Sequence, residues 1–428
     1  MLYQLHEYNR AFMSPLSHLA LAGARIWSDP NSLLAQLPVA PRMAATCELL
    51  HRVGKGYEKP QFNLHTIDVT GGKAAVIEQV HMERPLCRLL RFKRFSDDPA
   101  AIEAMKKQPI VLVVAPLSGH HATLLRDTVR TLLQDHKVYI TDWIDARMVP
   151  TGAGDFTLDD YVGYIRDFIE HIGADNVHVI AVCQPTVPVL AAVSLMASAG
   201  QPLPRSVTLM GGPVDTRESP TKVNDLAVNK PLSWFQNNVI HEVPKNYPGH
   251  GRKVYPGFLQ HTGFIAMNPG RHASSHWDFY HDLVRGDLGD AEAHRRFYDE
   301  YNAVLDMPAE YYLDCIRIVF QEHLLPRGEW HIDGQRVAPE AITGTRLLTI
   351  EGELDDISGL GQTRAAQSLC SGLDPAHKQH LLVREAGHYG IFSGRRWREL
   401  VYPKVRQFIT EASQAPTTGA SRRLHAVT

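Results

Sequence analysis

Residues 177–193, VHVIAVCQPTVPVLAAV, constrain this chain more than any other stretch. Val177-His178-Val179-Ile180-Ala181-Val182 is β-branched and mostly apolar, which predicts a central parallel strand covered on both faces. A helix should begin a few residues later, because proline fits a first turn, whose amide hydrogens have no intrahelical partners, and Pro185 and Pro188 stand there. Such a corner lifts its residue, here Cys183, above a sheet and aims a helix N-terminus at it. Its common form is Gly-x-Ser-x-Gly. Here Ala181 and Pro185 take the glycine positions and Cys183 the serine position. An unpaired cysteine ending an apolar strand is also what an inert core contains, so the chemistry needs support from elsewhere in the chain.

The rest of the chain supplies the sheet. From Pro109, strands alternate with helical patterns: Ile110-Val111-Leu112-Val113-Val114, a helix through Leu133, Val138 to Trp143, a helix from Leu158 to about Ile172, the corner strand, and Ser206 to Met210. This spacing implies right-handed βαβ units, a mostly parallel central sheet with helices on both faces, and a ligand at the carboxyl ends of the strands. Ahead of it, residues 61–69 and 74–81 around Thr70-Gly71-Gly72-Lys73 read as a β-hairpin on the sheet's antiparallel edge. Residues 214–342 break the alternation. They carry many aromatics and helical stretches near 288–305 and 308–323, which predicts an inserted helical cap rather than a structureless loop. Alternation resumes with Arg346 to Ile350 and Gln379 to Val383, and Trp397 to Glu411 closes the chain as a helix. The expected organisation is a helical arm (1–58), an α/β core (59–213 and 343–413), the cap (214–342) and a flexible tail (414–428).

Each resumed strand ends in reactive residue types. Ile350 leads into Glu351-Gly352-Glu353-Leu354-Asp355-Asp356, and Val383 into Arg384-Glu385-Ala386-Gly387-His388. Cys183, Asp355 and His388 thus form a nucleophile, acid, histidine series, each member just past a strand, in the chain order of α/β-hydrolases. One histidine among 23 means little alone, and an aspartate commonly caps a turn; the coincidence of type, place and order carries the inference. Asp356 is the rival acid, and Gly352, suggesting the turn just after the strand, favours Asp355. For the oxyanion hole, one donor should be the amide of Gln184, since Pro185 has none. The second should come from the loop after Val114; Pro116 is excluded, leaving Leu117 or Ser118.

Several classes are excluded. A net charge of −2 with scattered basic residues gives no basis for nucleic-acid binding. Five widely spaced cysteines, an odd number with no C-x-x-C pair, argue against a disulfide framework or a zinc site and fit a reducing compartment. Adjacent His120 and His121 lack spaced partners for a metal and are expected at the surface or lining substrate. Gly211-Gly212 stands alone, with no phosphate-cradling loop, so no cofactor is expected. No leader-like segment and no membrane span is expected. In the arm, Leu2, Leu5, Tyr8, Phe12, Met13, Leu16, Leu19 and Leu21 recur at roughly helical spacing. That face either packs across the core or touches an apolar surface such as a lipid or polymer particle.

The AVCQP corner, the APLSGH loop, DWIDAR, the MGGPVDTRESPTKVN run from Met210, and the GELDDI and EAGHYG turns together resemble the intracellular polyhydroxyalkanoate depolymerases, over about residues 1–412. The resemblance implies an α/β-hydrolase fold, a cysteine nucleophile, and cleavage of the poly(3-hydroxybutyrate)-type polyester of bacterial granules. It also implies a cytoplasmic, granule-associated protein whose partners are the polyester surface and small hydroxyacid oligomers. Cys183, Asp355 and His388 fall on that family's triad positions. Two other readings remain: a polyester synthase-like acyltransferase, disfavoured by Gln184-Pro185 after the cysteine, and a non-enzymatic granule protein, disfavoured by the three-residue series.

Overall fold

The structure, a computed structural model, describes residues 2–414. Nine strands form one sheet: β1 (Thr66–Val69), β2 (Gly72–Arg84), β3 (Cys87–Phe95), β4 (Ile110–Val114), β5 (Lys137–Trp143), β6 (Val177–Val182), β7 (Ser206–Met210), and, after five short strands described below, β13 (Arg346–Gly352) and β14 (Lys378–Val383). Their order is β1-β2-β3-β5-β4-β6-β7-β13-β14. The pairings from β1 to β5 are antiparallel, and from β5 to β14 every neighbouring pair is parallel.

Alternation along the central strands explains why they need cover on both faces. Leu112 and Val114 of β4 and Val177, Val179 and Ala181 of β6 join one apolar cluster, while Val111, Val113, Ile180 and Val182 join another. Two helices, α5 (Leu158–Ile172) and α6 (Thr186–Ser198), cover the first face; α4 (Arg126–Leu132) and the closing helix Tyr402–Gln414 cover the second. Residue chemistry sets their ends. Thr157 caps α5 through a capping box with Asp160, and Gly173, at φ 104°, ends it. The α5 face that is buried, Tyr161, Val162, Ile165, Phe168 and Ile169, is the one the helical period marks out.

At the edge the structure differs from expectation. β1 begins only at Thr66, β2 runs on to Arg84, and β3 was not anticipated. Its sequence, CRLLRFKRF, interleaves four basic residues with apolar ones and resembles a solvated segment. Pairing with β2 and β5 places Cys87, Leu89, Leu90 and Phe92 inside.

Residues 2–54 contain α1 (Leu2–Ser28) and α2 (Ala40–Gly54), packed as a hairpin in which Ser17 Oγ bonds His51 Nδ1 at 2.8 Å. Between β7 and β13 lie α7 (Lys222–Asn229), α8 (Leu232–Asn238), α9 (Gly257–Met267), α10 (Pro269–Arg285), α11 (Leu288–Tyr301) and α12 (Ala309–Asp314), the last continuing as a wider π turn over Cys315–Gln321. The same segment holds β8 (His241–Glu242), β9 (Lys253–Tyr255) and β10 (Met307–Pro308) in one small sheet, and a two-stranded ribbon of β11 (His331–Ile332) and β12 (Gln335–Arg336). The hairpin is tied to this segment: Tyr3 donates to Asp306 Oδ2 at 2.6 Å, and Arg295 Nε to Glu48 at 2.6 Å. The tail expected from residue 414 lies, beyond Gln414, outside the described residues. No helix among the described residues is long and apolar enough to cross a membrane.

Candidate active site

Cys183 ends β6 in the left-handed region, at φ 68°, a conformation that costs free energy for any residue with a Cβ and persists only when its surroundings hold it. Its amide donates to Met210 O at 2.7 Å, and its carbonyl accepts from Thr186 N at 3.1 Å as α6 begins. The neighbouring strand leaves no room beside it. A Cβ on Gly212 would fall 2.2 Å from Cys183 O and 1.9 Å from Thr186 Oγ1, so only glycine lets the end of β7 pass the corner. Gly212 is pinned from its other side, its amide donating to Thr363 Oγ1 at 2.8 Å and its carbonyl accepting from that hydroxyl at 3.0 Å.

The turn after β13 brings an acid to the same place. Asp355 Oδ1 accepts from the amides of Ile357 and Ser358, both at 2.9 Å, and Oδ2 accepts from His388 Nδ1 at 2.8 Å. With Nδ1 donating to a carboxylate, the other ring nitrogen of His388 is left for the neighbouring Cys183. Burial opposes the charged imidazolium, but Asp355 and then Cys183 favour it more strongly, and they hold His388 well above the usual imidazole range. Asp356 is turned away, its Oδ2 accepting from Asn268 Nδ2 at 2.9 Å. Thus Cys183, His388 and Asp355 meet, and Asp356 does not.

The three amides anticipated as oxyanion donors sit in the right loops. Among the described residues, those of Leu117, Ser118 and Gln184 donate to no other protein group. Ser118 and Gln184 line the cleft with Cys183 and His388, whereas Leu117 is fully buried in the core below. Gln184 also lies at the start of α6, whose aligned peptides favour negative charge there. The cleft, of about 330 Å³, is mostly apolar, with walls that include Leu226, Phe235, Phe264, Met307, Ile316 and Phe392.

His120 and His121 are both buried, and His121 is a correction, being neither at the surface nor in the cleft lining. His120 does line the cleft, stacked on Phe264 at 5.0 Å with Nε2 against Tyr301 O at 3.1 Å, and burial lowers it to about 4. His121, lowered by burial to about 3, lies outside the lining.

Sequence reasoning missed Glu351. Buried at the end of β13, its carboxylate accepts from the amides of Gly361, Thr363 and Arg364 at 2.9 to 3.1 Å, and so folds the loop that carries both Asp355 and Thr363. The acid-rich turn was the available signal, but nothing local separates a loop-holding glutamate from an exposed one. A larger cavity, of about 600 Å³, lies between α1, α2 and α9 to α11, away from Cys183. Three of its basic residues are already engaged, Arg52 and Lys55 with Asp299 and Arg147 with Asp145. Among the described residues, no group of three or more His, Cys, Asp or Glu side chains is arranged to hold a metal ion.

Comparison with known proteins gives three findings. Residues 211–413 match the family described as PHB de-polymerase C-terminus. No curated protein matches the chain. Among solved structures, similar folds include a monoacylglycerol lipase of Paleococcus ferrophilus (15% identity, 72% of this chain and 96% of that one, TM-score 0.42). A 2-hydroxy-6-oxo-6-phenylhexa-2,4-dienoate hydrolase of Rhodococcus sp. strain RHA1 is another (13% identity, 79% and 99%, TM-score 0.42).

Proposed function

We propose that this α/β-hydrolase-fold chain, whose residues 211–413 match the family described as PHB de-polymerase C-terminus, is an ester hydrolase whose substrate is stored poly(3-hydroxybutyrate)-type polyester, cleaved through Cys183, His388 and Asp355. The observation that carries the reading is the 2.8 Å contact of His388 Nδ1 with Asp355, which turns the far side of the ring to a cysteine held at positive φ in an apolar cleft.

Cys183 Sγ attacks the ester carbonyl while His388 takes the thiol proton. The tetrahedral oxyanion rests on the amide of Gln184 and that of Leu117 or Ser118. Its collapse expels the alkoxide, which receives the proton from His388, and leaves a thioester on Cys183. Water then gives its proton to His388 and attacks the thioester; the thiol reforms and the acid departs. Asp355 keeps the ring in the required tautomer and stabilises the imidazolium at each step.

In this reading the segment between β7 and β13 caps the cleft, and residues 1–58 are an arm that reaches the granule. Support for the arm comes from α1, where Leu5, Phe12 and Leu19, seven residues apart, are 62, 70 and 69% exposed. A polymer particle in the cytoplasm would cover that stripe. Purified protein given amorphous poly(3-hydroxybutyrate) should release soluble hydroxyacids or oligomers, and given 3-hydroxybutyryl-coenzyme A alone it should make no polymer. Polymer synthesis without release would move the assignment to acyl transfer.

A further inference from the structure

Three side-chain atoms in the cleft walls are buried with no hydrogen-bond partner among the described residues: Gln184 Oε1, Gln260 Oε1 and Ser358 Oγ. Buried polar atoms are costly to leave unmet, so a ligand is expected to answer them. They do not ask for the same thing. Ser358 can donate as well as accept, and an ester carbonyl satisfies it. The Gln184 amide is held by one contact, Nε2 to Cys315 Sγ at 3.3 Å, and can turn its nitrogen to a carbonyl instead.

Gln260 has no such freedom. It is 3% exposed, and its Nε2 donates to two carbonyls, Tyr255 O at 2.9 Å and Leu305 O at 3.1 Å. Turning the amide over would set its oxygen against both carbonyl oxygens, so Oε1 is committed to the other side, beside the Ser118–His120 loop, whose Ser118 and His120 line the cleft. There it comes so close to Gly119, at φ 106°, that a Cβ on that residue would lie 2.7 Å away. Oε1 can only accept. A polyester's interior has only carbonyl and ester oxygens, which also only accept, and its carboxylate end is no different. The single donor on a poly(3-hydroxyacid) chain is the hydroxyl of its terminal unit.

We infer that Gln260 Oε1 is the acceptor for that terminal 3-hydroxyl, a specificity residue through which the cleft recognises the hydroxyl end of the chain. The inference deepens the proposed function and rests on it. Cleavage is then favoured within a few units of that end.

The test uses a soluble 3-hydroxybutyrate trimer and the same trimer with its hydroxyl O-methylated. Wild-type protein should hydrolyse the free trimer with a kcat/KM on the order of tenfold or more above that of the methylated one. Gln260→Met should abolish the preference, bringing the free trimer down to the level of the methylated one. Equal rates on the two trimers with wild-type protein, a comparison that needs no variant to fold, would overturn the inference while leaving polyester hydrolysis standing. An equal loss on both trimers in Gln260→Met would reduce the residue to a structural one. If wild-type protein hydrolyses neither trimer nor polymer, the polyester reading fails and takes this inference with it.

Discussion

At the carboxyl edge of the sheet the carboxylates of Glu351 and Asp355 are shielded from solvent, and each is met by backbone amides. On the outer face of α1 the situation is inverted: Leu5, Tyr8, Phe12 and Leu19 stand in solvent, although the opposite side of the same helix packs on α2. The sheet edge is complete within one chain, since hydrogen bonds fix Asp355 and close packing fixes the corner. The arm's stripe is a surface without cover, and its contribution depends on what it meets. Chemistry that must be preorganised needs a place where the fold closes on itself, whereas an uncovered stripe acts only through what it contacts.

Altering Cys183 should have the largest effect. Cys183→Ala should lower ester hydrolysis by about a thousandfold or more, with little change in thermal stability because little buried volume is removed. Full activity in a folded variant would break the assignment of the sheet edge. Selectivity for iodoacetamide checks the same point. Burial raises the Cys87, Cys315 and Cys370 thiols, the last two to about 12, whereas His388 stands against Cys183 as a proton acceptor. Mass spectrometry should therefore find Cys183 alkylated before those three.

The two adjacent aspartates provide a sharper comparison. Asp355→Asn should cost about a hundredfold or more in kcat through the wrong His388 tautomer, while Asp356→Asn, which loses only a contact to Asn268, should stay within about twofold. Equal losses would mean that the loop, not the carboxylate, matters.

Stability should depend on pH through histidines that the sheet and its helices keep neutral. Burial lowers His120 and His136 to about 4 and His121 and His178 to about 3. Below about pH 6.5 the unfolded chain takes up a proton at each of them, whereas the folded chain does not until near pH 4; stability therefore falls as pH drops through that window. Asp145, which burial and Asp306 push up, and His388, held up by Asp355, act in the opposite sense and offset part of the loss. The net is a loss on the order of a few kcal/mol between pH 7 and 5.5, read as a lower urea midpoint. An unchanged midpoint would mean that these rings protonate within the fold.

The smallest effect on the soluble protein should come from the arm. Replacing Leu5, Phe12 and Leu19 together with serine should shift stability by only about 1 kcal/mol and leave hydrolysis of a soluble ester unchanged, because the three side chains are exposed. Binding to polymer granules, measured by sedimentation, should be lost. Retained binding would assign adhesion elsewhere and erase the contrast between the two regions.

Residues 110–114, 177–182 and 206–210 were legible as strands because each is a short β-branched run whose burial on both faces leaves its own signature. The same holds for the α5 period and for the order Cys183, Asp355, His388, since topology puts successive strand ends on one edge. Three features were left to the tertiary structure. β3 is a strand because β2 and β5 flank it, and its basic residues alone read as surface. Asp355 rather than Asp356 faces His388 because the amides of Ile357 and Ser358 orient the turn, a matter of ångströms that spacing does not encode. Gln260 enters the cleft only because carbonyls at residues 255 and 305, distant from each other in sequence, converge on its nitrogen. Periodic burial is written locally, residue by residue. The direction of a polar side chain depends on long-range partners, which exist only once the chain has closed.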